Sequence, residues 1–408
     1  MKHASLQISN SIVIKMKDVY IAYYKRTPFS RAKPDNPSKD VYNGVSMDVL
    51  LSKLIKDSLS TGINPEEIGD VITGCAIQAG ENWTYGGRHQ TLLSELPVSV
   101  PSMAIDRACS SSLNATAIGA MEIQTENSDI VLAGGMEHMT HVPLYNDPYV
   151  KYNTELMEKP EYKKYDMDVT YHVGLTAEKL AAINNISRED MDKFSFESQK
   201  LTGHAIEEGF YKDEILPVTV THDGSVKTIN ADQTPRPEST LEQMGQLKPA
   251  FKENGRVTAG NSPPLSSGAS LLMLMSGEKI KEYGLKPLAR VIDYAAAGVD
   301  PTIMGHGPVP ATNKLLKKNK LSPDNIDYWE INEAFAVVAL NAIKHLNLDR
   351  NRVNIHGGSI AIGHPLGATG ARIAGTLART LQEKKGNLGV ATLCVGGGQG
   401  YSLLIERV

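Results

Sequence analysis

The sequence predicts an α/β protein made of two copies of one strand–helix unit with a long insertion between them. Three observations carry that expectation. Short β-rich runs alternate with stretches of helical periodicity, which implies a mainly parallel sheet flanked by helices. Three motifs recur in the same order near the two ends of the chain. The residues between the copies have a different, charge-rich character. A chain of 408 residues also exceeds what one hydrophobic core usually supports.

In order, the first strand candidate is Val19–Tyr24, followed by helical spacing over Met47–Ser60. Strand Asp70–Cys75, helix Ser112–Glu122 and strand Ile130–Ala133 complete the first copy. The second copy offers strands Tyr328–Ile331 and Val390–Val395. "INPEEIGDVITGCA" from Ile63 answers "LSPDNIDYWEINEA" from Leu321, with Pro65, Glu66 and Ile68 matching Pro323, Asp324 and Ile326 at an offset of 258. Each reads as a helix start, with Asn64 or Ser322 as cap, then proline, then an acid. "ACSSSLNATAIGA" then answers "GSIAIGHPLGATGARIAG", and "DIVLAGGMEHM" answers "GVATLCVGGGQG". These matches place one copy at residues 18–139, rejoined by 266–286, and the other at 287–408. Residues 140–265 form an inserted loop domain, including the charged run "KYNTELMEKPEYKKYDMD". An insertion of this length at a site mouth is expected to supply ligand contacts. Residues 1–17 read as an extension whose apolar run, Ile12–Ile14, is too short for a secretory signal. A start at Met16 is the alternative reading.

The composition, 41% hydrophobic and 22% charged, is that of a folded globular chain. A net charge of −4 argues against a dedicated nucleic-acid binder and leaves room for a local basic pocket. Cys75, Cys109 and Cys394 are far apart and show no CxxC spacing, so neither a disulfide framework nor a zinc site is expected. No aliphatic run, Leu271–Met275 included, is long enough to span a bilayer. The final "ERV" is not a peroxisomal address, and the cytoplasm is the expected compartment.

Four constellations carry chemistry. Cys109, in "DRACSSSLNA", precedes a helix whose N-terminus favours thiolate, among small residues that leave the sulfur accessible. It reads as a nucleophile or as a small buried hydrophobe. His364 lies between Gly363 and Pro365 in "NIHGGSIAIGHPLGATGAR", as a base for a thiol or as a turn filler. Asn332, in "INEAFA", follows an apolar strand end and either holds a water or carbonyl oxygen or caps a helix. "CVGGGQG", from Cys394 through Gly396 to Gly400, ends a strand in an N–H-rich loop that could stabilise an oxyanion.

Together with "RTPF", "AGGMEHMTHVP", "GLTAEKLA", "VTAGNS" and "MGHGPVPA", these motifs resemble the thiolase family from Val19 to Val408. The resemblance implies a duplicated αβαβα five-layer fold with an inserted loop domain, assembled as a homodimer or homotetramer. It implies an acyltransferase acting on coenzyme A thioesters, either condensing acetyl-CoA to acetoacetyl-CoA or cleaving 3-ketoacyl-CoA. No metal and no permanently bound cofactor is implied; coenzyme A and acyl-CoA are substrates. By the same resemblance Cys109 is acylated, His364 takes its proton, and Cys394 moves a proton at the α-carbon. Asn332 holds a water that forms one oxyanion hole with His364, and the N–H groups of Cys109 and Gly396 form the other. His172, Arg236, Ala259, Met304 and Phe335 surround the coenzyme A arm. A partner enzyme would belong to β-oxidation or to acetoacetyl-CoA use.

Departures from the family pattern are Pro263 in place of a serine, Ser267 in place of an acid, Val173 in place of a methionine and His356 in place of an asparagine. Two other readings stand beside the first. One is a decarboxylating ketoacyl synthase of related fold, against which Cys394 argues. The other is a non-catalytic acyl-CoA-binding or scaffold protein, against which the intact set Cys109, Asn332, His364 and Cys394 argues.

Overall fold

The computed structural model describes residues 16–144 and 153–408. The expected N-terminal extension lies outside the described residues except for Met16 and Lys17, and so do the first two residues of the charged run. Lys17 pairs with Asp129 and Glu278, each at 3.1 Å.

The strands, in chain order, are β1 (Val19–Arg26), β2 (Ser30–Arg31), β3 (Asp70–Gly74), β4 (Ser102–Ile105), β5 (Ile130–His138), β6 (Val218–His222), β7 (Ser225–Ile229), β8 (Ser266–Ser276), β9 (Ala289–Gly298), β10 (Tyr328–Ile331), β11 (Leu388–Val395) and β12 (Gln399–Glu406). Ten form one sheet of order β10-β11-β12-β9-β1-β8-β5-β3-β4, with β2 on β8; β6 and β7 form a separate hairpin. The expectation of a mainly parallel sheet is corrected. Only β3/β4, β3/β5 and β10/β11 run parallel; the other pairs in the sheet are antiparallel. The reason is topological. β11 turns straight into β12 with no helical crossover, and β8 returns only after the insertion to lie between β5 and β1; neither return is a strand–helix–strand crossover of the kind that forces parallel pairing.

The two copies meet in the sheet along a short seam, where Val19, Tyr20 and Ile21 of β1 face Val291, Arg290 and Ala289 of β9. Helices Ser111–Gln124 and Thr369–Lys384, related by the same offset of 258, form a central layer. One apolar core around them joins Ile21, Leu113, Leu272 and Leu274 to Leu377, Leu393 and Leu403. A second core lies outside the C-terminal copy under helix Ala336–Leu346, and a third outside the N-terminal copy under helix Met47–Ser58. Helix, the N-terminal half of the sheet, helix pair, the C-terminal half of the sheet and helix make the five layers. The central helices touch backbone to backbone: a Cβ on Gly370 would lie 2.2 Å from the Leu113 nitrogen. Next to it, the Ala371 N–H donates to Ser112 Oγ at 2.8 Å.

The two expected helix starts are single 3-10 turns, Pro65–Glu67 and Pro323–Asn325, that lead directly into β3 and β10. Their caps form as the sequence implies: Asn64 accepts from the Glu66 N–H, and Ser322 and Asn325 make a capping box. The insertion holds helices Val173–Asn184 and Arg188–Glu207. It is tied to β1 by Arg26, which is fully buried with Glu214 and Asp232, each at 2.7 Å. Removing one partner of such a buried pair typically costs about 3–5 kcal/mol.

Candidate active site

Cys109 lies in the 3-10 turn Ala108–Ser110 that enters the first central helix. The turn is tight enough to hold Ala108 at a φ of 44°, a left-handed value that a residue with a Cβ rarely adopts. The backbone N–H groups of Gly396 and of Cys109 itself act on the Cys109 thiol, each drawing its pKa down. Gly396 is available because β11 ends at Val395 and Gly397 and Gly398, with φ of 79° and 85°, turn the chain into β12. Two sequence expectations are corrected here. The sulfur is not accessible, since Cys109 is only 7% exposed. Nor does the helix start favour a resting thiolate: burial outweighs both N–H donors and pushes the thiol up to about 12. Cys394, fully buried in β11, is pushed up by burial and by the nearby Cys109.

The second group surrounds His364. Thr369 Oγ1 donates to the Pro365 carbonyl at 2.7 Å, so it accepts from His364 Nδ1, also at 2.7 Å. The imidazole is thereby held as its Nδ1–H tautomer, with Nε2 left as an acceptor. Burial, and then the Arg372 charge, lower its pKa to about 3, so it rests neutral. Nε2 lies 3.3 Å from Asn332 Nδ2. Asn332 does not cap a helix, because helix Ala336–Leu346 starts four residues later with Phe335 as its cap. It follows β10 directly, and its N–H donates to the Thr392 carbonyl of β11 at 2.9 Å, two residues before Cys394. The thiol group and the imidazole group thus come from facing starts of the two central helices, where Gly370 packs on Leu113.

Glu137 locks the copies together at this point. Its carboxylate accepts from the N–H groups of Ala76, Ile77 and Gly367 and from Asn82 Nδ2, at 2.8–3.1 Å. Burial still raises its pKa to about 7.

The five residues expected around a coenzyme arm fall in two places. Arg236 and Ala259 line a cavity of about 240 Å³ together with Arg31, Ser262, Pro264 and Ile360. Met304 and Phe335 are buried in the outer core of the C-terminal copy, against which Val173 packs. His172 is exposed just before helix Val173–Asn184, its Nδ1 2.8 Å from the Asp168 carbonyl. Pro263 lies between Ser262 and Pro264 at this rim. The acid missing at Ser267 is supplied from elsewhere: Asp40 Oδ2 lies 3.4 Å from Ser267 Oγ. His356 stacks on Phe210 at 3.7 Å and pairs with Glu383 at 2.9 Å, so it serves packing.

Sequence reasoning missed Thr369, Arg372 and Ser359, which orient His364 and Asn332. The available signal was that all three lie inside the glycine-rich segment already singled out. It also missed Glu81, His138 and His141, whose ligand atoms lie within 4.8 Å of one another. The two rings stack at 4.0 Å, and His141 lies 2.7 Å from Glu81 and 2.9 Å from Asn43.

The family description "Thiolase, N-terminal domain" matches residues 19–278, and "Thiolase, C-terminal domain" matches residues 285–407. A 3-ketoacyl-CoA thiolase of Marinobacter nauticus is 42% identical over 401 residues, covering 96% of this chain and 99% of that one. The fold is similar to the crystal structure of a Bacillus anthracis acetyl-CoA acetyltransferase, with a TM-score of 0.85 and 36% identity over 97% of this chain and 100% of the other. It is equally similar to human mitochondrial 3-ketoacyl-CoA thiolase in complex with CoA, with a TM-score of 0.85 and 34% identity over 96% and 98% of the chains. The chain belongs to the thiolase family.

Proposed function

We propose that this protein is a thiolase that cleaves 3-ketoacyl-CoA with coenzyme A and, in reverse, condenses acyl units through Cys109. The observation that carries the reading is a neutral His364, held with its unprotonated Nε2 toward Asn332, at the start of the central helix that packs on the one bearing Cys109. His364 Nε2 takes the Cys109 proton and the thiolate attacks the 3-keto carbon. The oxyanion forms against the N–H groups of Cys109 and Gly396, each such donor contributing about 3–4 kcal/mol. The C2–C3 bond breaks, and its electron pair becomes an acetyl-CoA enolate whose oxygen faces a water on Asn332 and the protonated His364. Cys394 gives its proton to C2, then takes one from the incoming coenzyme A thiol. That thiolate attacks the acyl-Cys109, and the released sulfur recovers its proton from His364.

Arg236 and Ala259 on the cavity rim, and His172, Met304 and Phe335 beyond it, hold the coenzyme arm, with Arg236 toward its phosphates. Residues 140–265 act as the loop domain between the copies 18–139 with 266–286, and 287–408. A homodimer or homotetramer is supported by the sheet edge at β4, which among the described residues pairs with β3 alone, and by exposed Trp83 and Tyr85, 52% and 68% accessible. Among the described residues no helix is long and apolar enough to cross a membrane. Three unpaired cysteines support a reducing, cytoplasmic setting.

The test is CoA-dependent cleavage of 3-ketoacyl-CoA from four to sixteen carbons, compared by kcat/KM. Activity maintained or rising with length supports a 3-ketoacyl-CoA thiolase, and preference for acetoacetyl-CoA an acetyl-CoA acetyltransferase. Inactivity at every length overturns the reading. Cys394→Ala should still allow Cys109 to be acylated by acetyl-CoA while blocking carbon–carbon bond making and breaking.

A further inference from the structure

The mechanism above needs Asn332 to present its amide N–H₂, and nothing in an amide's shape enforces that. The two ends of an Asn side chain are nearly the same size and have opposite polarity. What decides the matter is a buried chain of side chains behind it. Glu330 Oε2 lies 3.4 Å from Arg372 Nη1, and Arg372 Nη2 donates to Ser359 Oγ at 2.7 Å. Ser359 Oγ lies 2.7 Å from Asn332 Oδ1. A guanidinium only donates, so Ser359 accepts from Arg372 and its single proton goes to Asn332 Oδ1. The carbonyl end of the amide is thereby turned away from His364, and Nδ2 faces Nε2 at 3.3 Å. All members of the chain are buried.

We infer that Ser359 is a positioning residue that fixes the polarity of the Asn332 amide, so that the N–H₂ group and not the carbonyl oxygen faces His364 Nε2 and holds the water that meets the enolate oxygen. The inference rests on the thiolase reading above. With the amide reversed, Oδ1 would oppose the Nε2 lone pair of neutral His364. Once His364 had taken the Cys109 proton, Oδ1 would accept that N–H and remove it from the enolate oxygen. Both donors of that oxyanion site depend on one hydroxyl proton. The other site, formed by the N–H groups of Cys109 and Gly396, is backbone and does not depend on it. Ser359 therefore acts on carbon–carbon bond cleavage and formation far more than on acyl transfer to Cys109.

The experiment compares wild type, Ser359→Ala and Ser359→Cys in two assays: thiolysis of a 3-ketoacyl-CoA, and exchange of labelled coenzyme A into acetyl-CoA. Exchange requires Cys109 acylation but no carbon–carbon step. Ser359→Ala should lower kcat for thiolysis by about 10²-fold, the loss typical of one oxyanion donor. KM should stay within about twofold, and exchange within about threefold. Ser359→Cys, of similar size with a weak donor, should fall between, and it carries the test if the alanine variant is unstable. In an Asn332→Ala background, Ser359→Ala should change kcat by less than about twofold, because the group it acts through is gone. Equal losses in thiolysis and exchange, additive losses in the double variant, or no loss at all would overturn the inference. A wild type that exchanges coenzyme A but cleaves no 3-ketoacyl-CoA would overturn the thiolase reading on its own.

Discussion

The two strand-to-helix junctions occupy equivalent places in the two copies and do opposite work. The chain has Gly74 where β3 ends; at the same offset of 258, where β10 ends, it has Asn332. A Cβ at Gly74 would lie 2.3 Å from the Ser112 nitrogen and 2.4 Å from the Ser111 carbonyl carbon, so the first junction has no room for any side chain. The helix is pressed onto the strand end, and what it presents is a thiol with backbone N–H groups. At the second junction the extra turn Ser359–Ile362 precedes the central helix. That turn leaves room for an amide and an imidazole and supplies the hydroxyl that orients the amide. One scaffold used twice gives complementary halves of a reaction, and the presence or absence of a single Cβ separates them.

Three changes would break or sharpen this contrast, in falling order of effect. Cys109→Ala removes the thiol that the first junction presents at the start of its central helix. Turnover should fall by about 10⁴-fold or more, with a melting temperature within a few degrees of wild type, since the lost volume is small. Rates at saturating substrate and a thermal melt check it, and retained turnover would move the nucleophile elsewhere. Gly74→Ala would ask the first junction to accept the side chain that the second tolerates. Its Cβ meets backbone on both sides, so destabilisation of about 3 kcal/mol or loss of soluble protein is expected, read by denaturant unfolding. An unchanged midpoint would show that the first junction has slack.

The smallest effect concerns acid. Burial lowers the His356 pKa to about 4, with the Glu383 carboxylate opposing that shift. The unfolded chain binds this proton below about pH 6.5 and the folded chain only near 4, so stability is lost as pH falls through that window. His356→Asn should lose less stability between pH 7 and 5, by about 1–2 kcal/mol. Melting curves at the two pH values check it; equal losses would show that His356 is free to protonate in place.

Much of this arrangement was legible in the sequence. Strand Tyr328–Ile331 matches to the residue, the offset of 258 carries one central helix onto the other, and Cys109, Asn332, His364 and Gly396 all fall at strand or helix ends. Three things were not legible, each for a physical reason. Strand direction was misjudged because periodicity marks a strand and not its sense. The resting charge of Cys109 was misjudged because a helix N-terminus is local while burial is set by chain far away. The role of Ser359 was invisible because it rests on which way a hydroxyl proton points, which depends on Arg372 thirteen residues later.

The shared central layer has one more consequence. Its two helices each come from one copy, and neither copy can cover its own. The chain behaves as a dimer folded from one polypeptide, with a pseudo-twofold axis that its chemistry has broken. The short connector after helix Gly277–Glu282 is then a tether between quasi-subunits and not part of the catalytic frame. Cut there, the two pieces would have to find each other before any sulfur met any imidazole. Turnover in this protein is therefore a direct readout of an interface inside a single chain.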